Sequence, residues 1–181
     1  SRKVVDLISS SLLIKKVGHA GTLDPMASGL LPIAIGEATK TIGVIQQFNK
    51  SYKFTIKWGE KTTTDDKMGS IVSSSEKRPN IENINKNIKK FIGYIKQTPP
   101  NFSAIKINGK RAYKLARNNE KFSLSPRTVF IETFKIVQYI DKDHCSFECT
   151  CSKGTYIRAL ARDLGEALNC FGHISELRRT H

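Results

Sequence analysis

An aspartate in a glycine-rich stretch is the residue of this sequence best suited to do chemistry. Asp24 lies in GHAGTLDPMASGLLPIAIG, in which four glycines fall close together. Pro25 disfavours a helical backbone at Asp24 and favours an extended one, and glycines let a ligand approach a loop closely. A carboxylate presented in this way could act as a nucleophile or a base. Asp-Pro is also ordinary turn chemistry, so the dipeptide alone does not decide the matter.

The sequence lacks the motifs of common cofactor and metal sites. It contains no GxxxxGK[ST] phosphate loop, no GxGxxG, no HExxH and no HxE with PCxxC as in zinc deaminases. Three of the four cysteines, Cys145, Cys149 and Cys151, would share one face of an extended strand. We therefore predict no cofactor, no metal and reduced structural thiols of a cytosolic protein.

The charge of the chain favours a polyanionic partner. Thirty Lys and Arg residues against 16 Asp and Glu give the 181 residues a net charge of +14. Such an excess indicates nucleic acid first and an anionic membrane surface second. No apolar run approaches the roughly 20 residues of a membrane-spanning helix, and Pro32 interrupts residues 29–35. An ordinary basic protein remains open at this point.

Hydrophobic patterns predict the elements that must position Asp24. The alternation of apolar and polar residues in YKFTIKW, residues 52–58, is typical of a half-buried strand. Isoleucines at helical spacing predict an amphipathic helix over residues 81–95, and a second such helix is predicted over residues 1–16. The remaining predictions are a strand and turn at Asn108–Gly109 before a basic helix, two strands joined at residues 141–144, and a helix after a turn within residues 152–169.

The last of these helices carries two arginines one turn apart. Its buried stripe is predicted to contain Ile157, Leu160, Leu164 and Leu168, which leaves Arg158 and Arg162 on another face. The order of helices and strands predicts an α/β (α+β) fold, in which helices pack on a mixed, largely antiparallel sheet.

Longer stretches of the sequence resemble one known family. The segment GHAGTLDPMASGLLPIAIGEATK closely resembles the catalytic-loop motif of the TruB family of tRNA pseudouridine synthases. Further segments resemble the family's other motifs in order: KSYKFTIKWGEKTTTDDKMG, PPNFSAIKINGKRAYKLAR, CSKGTYIRALARDLGEAL and HISELRRT. The resemblance implies a pseudouridine-synthase fold. The family's KPxGxSS-type motif and its PUA domain are not found, so we expect residues 1–181 to be a catalytic domain truncated at both ends.

The resemblance implies that a uridine in the T loop of tRNA, position 55, is flipped out and isomerised to pseudouridine. It implies an enzyme whose partner is the tRNA T-stem loop. We also expect a cytoplasmic protein without a cofactor, without a membrane partner and without an obligate protein partner. The bond from uracil N1 to the ribose breaks, and C5 joins the same ribose carbon. Two alternatives remain: a noncatalytic RNA-binding or tRNA-folding protein on the same fold, and an N-glycosidase that uses the same carboxylate.

Three residues match catalytic positions of the family. Asp24 matches the essential carboxylate, which could add to uracil C6, bond the ribose C1′ or abstract a ribose proton to give a glycal. Arg158 matches an active-site arginine that could hold Asp24 ionised through a charge-assisted hydrogen bond. Tyr52 matches a tyrosine that stacks on the target base and could help to remove the proton from C5.

Other residues match substrate-binding positions of the family. Tyr156 and Leu177 match residues that line the uridine pocket, and His19 matches a loop histidine expected to reach into the RNA. Lys40 and Asp66 match further polar positions. From the residue patterns alone, Arg158 would face solvent, and Tyr52, Tyr156 and Leu177 would belong to the core. We also expect the Lys and Arg residues of segment 106–117, together with Arg178 and Arg179, to contact RNA phosphates.

Overall fold

A six-stranded sheet carries most of the architecture. In the computed structural model, which describes residues 1–181, the helices are α1 (Arg2–Leu12), α2 (Ile42–Ile45), α3 (Ile81–Ile88), α4 (Ala112–Arg117) and α5 (Ile157–Ala167). The strands are β1 (Val17–His19), β2 (Ser28–Gly29), β3 (Ile33–Ile35), β4 (Lys50–Trp58), β5 (Glu60–Thr62), β6 (Ile71–Ser74), β7 (Gly93–Gln97), β8 (Lys106–Ile107), β9 (Lys110–Arg111), β10 (Arg127–Tyr139), β11 (His144–Cys151) and β12 (Gly172–Arg179). Two 3₁₀ helices cover Gly36–Thr41 and Lys89–Phe91.

The order of strands in the main sheet is β2-β12-β4-β11-β10-β7. All neighbouring strands are antiparallel except β2 and β12, which are parallel. Three short pairs, β1 with β3, β5 with β6 and β8 with β9, lie outside this sheet. The prediction of an α/β (α+β) fold with a mixed, largely antiparallel sheet is therefore confirmed.

The core lies on the face of the sheet that carries α3 and α5. The alternation predicted for β4 is observed at most positions, since Phe54, Ile56 and Trp58 are at most 1% exposed while Lys53 is exposed. Thr55, on the polar face, is also buried. Leu160 and Leu164 of α5 pack on this face, and each fully buried side chain of this size contributes about 1.5–3 kcal/mol.

All four cysteines are buried and free, as the prediction of reduced structural thiols requires. Burial raises the pKa of the Cys145 thiol to about 12 and that of Cys170 to about 11. Both thiols are therefore protonated at neutral pH and act as small apolar side chains.

The helix predicted over residues 81–95 is wrong in its second half. Helix α3 ends at Ile88, and Gly93, which has a φ of +94°, begins strand β7. This strand pairs with β10 from Gly93 opposite Ile131 to Gln97 opposite Arg127. Pairing with a distant strand therefore overrides the local helical spacing of the isoleucines.

Strand β12 received no prediction as an element, yet it is central to the sheet. It pairs with β4 along most of its length and with β2 at Arg178 and Arg179. The helix predicted over residues 1–16 is observed as α1, which ends at Leu12, and the turn predicted at Asn108–Gly109 joins β8 to β9. The two strands predicted to be joined at residues 141–144 are observed as β10 and β11. None of the helices is long and apolar enough to cross a membrane.

Candidate active site

The loop that carries Asp24 connects β1 to β2, and β2 rests on the end of β12. The Ala27 amide donates to the Asp24 carbonyl at 2.9 Å, which closes a turn after Pro25. Gly29 has a φ of +98°, and a Cβ atom there would overlap the Arg179 carbonyl oxygen. Only glycine therefore fits this close approach of the loop to β12.

Asp24 forms a two-point ion pair with Arg158. Arg158 Nη2 donates to Asp24 Oδ1 at 2.8 Å, and Nε donates to Oδ2 at 3.0 Å. The side chain of Arg158 is 5% exposed and that of Asp24 is 28% exposed. Two parallel bonds fix the orientation of the carboxylate. The Asp24 carboxylate is thus held from the protein side and remains accessible from solvent.

Helix α5 positions Arg158 in its first turn, two residues after the N-cap residue Tyr156. A cation at this end of a helix is disfavoured by the helix dipole, and a nearby carboxylate offsets that effect. The remaining donors of the guanidinium bind the Thr64 carbonyl at 2.9 Å and the Phe102 carbonyl at 3.2 Å. Arg158 is therefore buried, contrary to the solvent-facing position that the residue pattern indicated.

A second carboxylate, that of the buried Asp66, contacts Arg158. Asp66 Oδ2 lies 3.7 Å from Arg158 Nε, and Asp66 is 3% exposed. Its Oδ1 accepts hydrogen bonds from the Thr64 hydroxyl at 2.6 Å and from the Met68 amide at 2.9 Å. This burial puts Asp66 in contact with Arg158 and away from the surface that a substrate would reach.

Tyr52 and Tyr156 lie close enough to Asp24 to respond to its charge. Burial is the largest cause that raises the pKa of the Tyr52 phenol, and Asp24 adds to this increase while Arg179 opposes it. Burial likewise raises the pKa of Tyr156, and Asp24 contributes in the same direction. Both phenols are therefore protonated at neutral pH.

Gln97 is a site residue that the sequence did not reveal. Its side-chain amide forms a pair of hydrogen bonds with the backbone of Tyr156: Oε1 accepts from the Tyr156 amide at 2.8 Å, and Nε2 donates to the Tyr156 carbonyl at 3.2 Å. Gln97 is 1% exposed and ends β7. It ties the start of α5 to the sheet, a role for which a glutamine in a strand gives no sequence signal.

The structure places the other predicted binding residues in three different environments. Leu177 is buried on β12 opposite Phe54, so it belongs to the core, as its pattern indicated. His19 is half-buried on β1, where burial lowers the pKa of its imidazole. Lys40 is exposed and pairs with Glu37 at 2.5 Å instead of with a residue around Asp24.

Arg179 does not lie where a phosphate contact was expected. It is 3% exposed, whereas its neighbour Arg178 is exposed. The guanidinium of Arg179 binds carbonyl groups of the Asp24 loop. No group of three His, Cys, Asp or Glu side chains is arranged to hold a metal ion.

The fold, with a carboxylate loop held against its sheet, is that of the pseudouridine synthases. A chain of a Cbf5–Nop10–Gar1 complex superposes with a TM-score of 0.75 at 29% identity, over 99% of this chain and 44% of the other. A chain of an H/ACA RNP bound to a substrate RNA containing 2′-deoxyuridine gives a TM-score of 0.72 at 26% identity, over 99% and 43%.

The family is the TruB family of pseudouridylate synthases. The sequence model of its N-terminal domain matches residues 10–157, so the chain belongs to this family. The tRNA pseudouridine synthase B of Bartonella henselae is 55% identical over 179 residues, which are 99% of this chain and 56% of that protein. The enzyme of the same name from Wolbachia pipientis is 53% identical over 99% of this chain and 51% of its own length. The chain thus spans about half the length of these relatives.

Proposed function

We propose that the protein isomerises the uridine at position 55, in the T loop of tRNA, to pseudouridine, and that residues 1–181 provide its catalytic domain. The observation that carries this proposal is the Asp24 carboxylate, which is accessible to solvent and fixed by the buried Arg158. The names of the relatives support tRNA as the substrate class. We place the activity in the cytoplasm, where tRNA is the available substrate.

The reaction needs no atom from outside the uridine. The bond between uracil N1 and ribose C1′ breaks, the base turns, and C5 bonds to C1′. The proton on C5 leaves, and N1 gains one, so atoms and charge balance. Asp24 is the carboxylate that starts the reaction by attack on C6, by attack on C1′ or by removal of a ribose proton. Each route needs an oriented carboxylate, and the hydrogen bonds from Arg158 fix the orientation of Asp24.

The residues around Asp24 are proposed to hold the flipped base. Tyr52 and Tyr156 carry protonated phenols, so stacking and hydrogen-bond donation suit them better than action as a free phenolate base. Leu177 is proposed to give the pocket its apolar wall. Asp66 is proposed to act through Arg158, because it is buried behind that residue. His19 and Lys40 remain proposals for contacts with RNA beyond the target base.

A basic hairpin beside the site suits the phosphates of the RNA. The Phe102 carbonyl accepts a hydrogen bond from Arg158. The carbonyl of the next residue, Ser103, accepts a hydrogen bond from the Tyr113 amide of α4 at 3.0 Å. The segment that contains β8, β9 and α4 is thus joined to the site. The exposed cations of this hairpin and helix are Lys106, Lys110, Arg111, Lys114 and Arg117. Contacts from these side chains to phosphates would offset the few kcal/mol that base flipping costs.

The direct test is pseudouridine formation in a T-loop RNA by the protein and by its Asp24→Asn variant. The substitution keeps the size of the side chain and removes the charge, so we expect RNA binding without pseudouridine. Asp6→Asn is a matched control, because Asp6 is exposed on α1 and pairs only with Arg2; it should retain full activity. A noncatalytic RNA-binding protein would bind without modifying the base, and an N-glycosidase would release free uracil.

A further inference from the structure

Arg179 is a buried cation whose observed partners are not carboxylates. It lies near the end of β12 and is 3% exposed. Its guanidinium hydrogen-bonds to two backbone carbonyl oxygens. A charge removed from water without an opposite charge is costly, and an apolar side chain of similar volume would fill the same space at lower cost. The position of the guanidinium therefore calls for an explanation other than packing.

The two carbonyl groups that Arg179 binds belong to the two sides of the Asp24 loop. Nη2 donates to the Gly21 carbonyl at 3.2 Å, and Nε donates to the Leu30 carbonyl at 2.7 Å. The backbone of Arg179 also takes part, because the Leu30 amide donates to its carbonyl at 2.9 Å. One residue thus joins the segment before Asp24 to the segment after it.

The same residue borders the second proposed catalytic group. Arg179 is opposite Tyr52 in the pairing of β12 with β4. Strand β12 therefore brings the loop that carries Asp24 and the strand that carries Tyr52 to one point. A shift of the loop relative to β12 would change the separation of Asp24 from Tyr52 as well as its contact with Arg158.

We propose that Arg179 is a positioning residue that clamps the Asp24 loop and fixes the Asp24 carboxylate against Arg158. This inference rests on the proposed function, in which Asp24 acts on the RNA. It replaces the expectation of a phosphate contact, because the guanidinium is buried and already bonded to the loop. The clamp acts on the rate of the reaction and leaves the affinity for RNA to exposed cations.

The test compares Arg179→Met and Arg179→Lys with Arg78→Met in the intact protein. Arg78 is a suitable control, because it also binds backbone carbonyls, those of Ser75 and Lys77. Its guanidinium lies against Gly59, which follows the end of β4 that is distant from Tyr52. Hydrogen exchange of residues 20–31, the single-turnover rate at saturating T-loop RNA and the RNA dissociation constant are measured for each variant.

We expect faster exchange of the loop and a rate about 100-fold lower in both Arg179 variants, with RNA affinity within a few-fold of the unsubstituted protein. Lysine keeps the charge but cannot bridge two carbonyls as the planar guanidinium does. Arg78→Met should change neither the loop nor the rate. If the Arg179 variants fold poorly, Gly21→Ala tests the same contact, since its Cβ would lie 3.2 Å from Arg179 Nη1 at a φ of +93°.

Two results would overturn the clamp. Unchanged loop exchange in the Arg179 variants would show that the guanidinium does not hold the loop. A salt-dependent loss of RNA affinity with an unchanged rate at saturation would show a phosphate contact instead. Failure of the proposed function has a different signature, namely no pseudouridine from the unsubstituted protein, and the exchange measurement tests the clamp even then.

Discussion

At the scale of single residues, Arg158 is the group around which the site is built. It binds Asp24 at two points, contacts Asp66 and satisfies two backbone carbonyls, all from the first turn of α5. A guanidinium can do this because its donors point in fixed directions in one plane. The accessible carboxylate of Asp24 depends on this buried cation for its orientation.

Replacement of Arg158 by lysine tests this dependence. An ammonium is a single point of charge and cannot reproduce the two-point pair with Asp24 while it also binds Thr64 and Phe102. We expect Arg158→Lys to lower the single-turnover rate about 100-fold and to destabilise the fold by about 1–3 kcal/mol. Pseudouridine formation and urea unfolding measure the two effects.

Arg162→Lys is the control for this prediction. Arg162 lies one turn further along α5 and pairs with Asp65 at 3.0 Å, so its replacement should also cost stability. We expect its rate to stay within a few-fold of the unsubstituted protein. Equal rates for the two lysine variants would contradict a special role for Arg158.

The partner of Asp24 could not be identified from residue patterns. Arg158 is 134 residues away in the chain, and helical periodicity placed it on a solvent-facing surface. Only the family resemblance indicated the pair, because a motif carries tertiary contacts that periodicity does not. Gln97 and the buried position of Arg179 were missed for the same reason, since both depend on contacts between distant segments.

At the scale of elements, β12 is the support on which the Asp24 loop rests. Its pairing with β2 at Arg178 and Arg179 brings the loop onto the sheet. The contact requires Gly29, whose backbone is left-handed and lies against the Arg179 carbonyl. The Asp24 loop thus meets the sheet at a position, Gly29, that has no room for a side chain.

Gly29→Ala tests this contact. The added methyl group would force the loop away from β12, so we expect a loss of both pseudouridine formation and stability. Gly36→Ala is the matched control, because Gly36 also has a positive φ of +58° but open space around its Cβ position. It should cost only the backbone strain of about 1–2 kcal/mol. Similar thermal unfolding and activity of the two variants would argue against the close contact.

The sequence predicted elements well where local pattern and tertiary environment agree. The alternation in β4 was correct because one face of that strand meets the core and the other carries lysines. The helix over residues 81–95 was too long because β7 forms by pairing with the distant strand β10, in which Gly93 is opposite Ile131. Strand β12 was missed because its alternation is interrupted by a bulge between Ile174 and Glu176.

At the scale of the whole molecule, the net charge of +14 is proposed to bind the folded T loop. The exposed cations of β8, β9 and α4 belong to the segment that follows Phe102, whose carbonyl accepts a hydrogen bond from Arg158. The binding free energy should therefore depend strongly on salt, because each phosphate contact releases counterions. Shape of the RNA, more than its sequence, would set the selectivity of such contacts.

Neutralisation of Lys106 and Lys114 tests this distribution of charge. Each change to glutamine should weaken RNA binding and reduce the slope of log K against log salt by about 1. Lys135→Gln serves as the control, because Lys135 pairs with Glu148 at 3.0 Å away from the hairpin. If the control lowers the slope as much as the hairpin variants do, the charge acts over the whole surface and not through this segment.

The measurement that tests the central claim most directly is the amount of pseudouridine formed in a T-loop RNA by the Asp24→Asn variant under single-turnover conditions. The proposed role of Asp24 predicts that the variant binds the RNA and leaves its uridine unchanged, while Asp6→Asn converts it fully. Conversion by Asp24→Asn at the rate of the unsubstituted protein would contradict it.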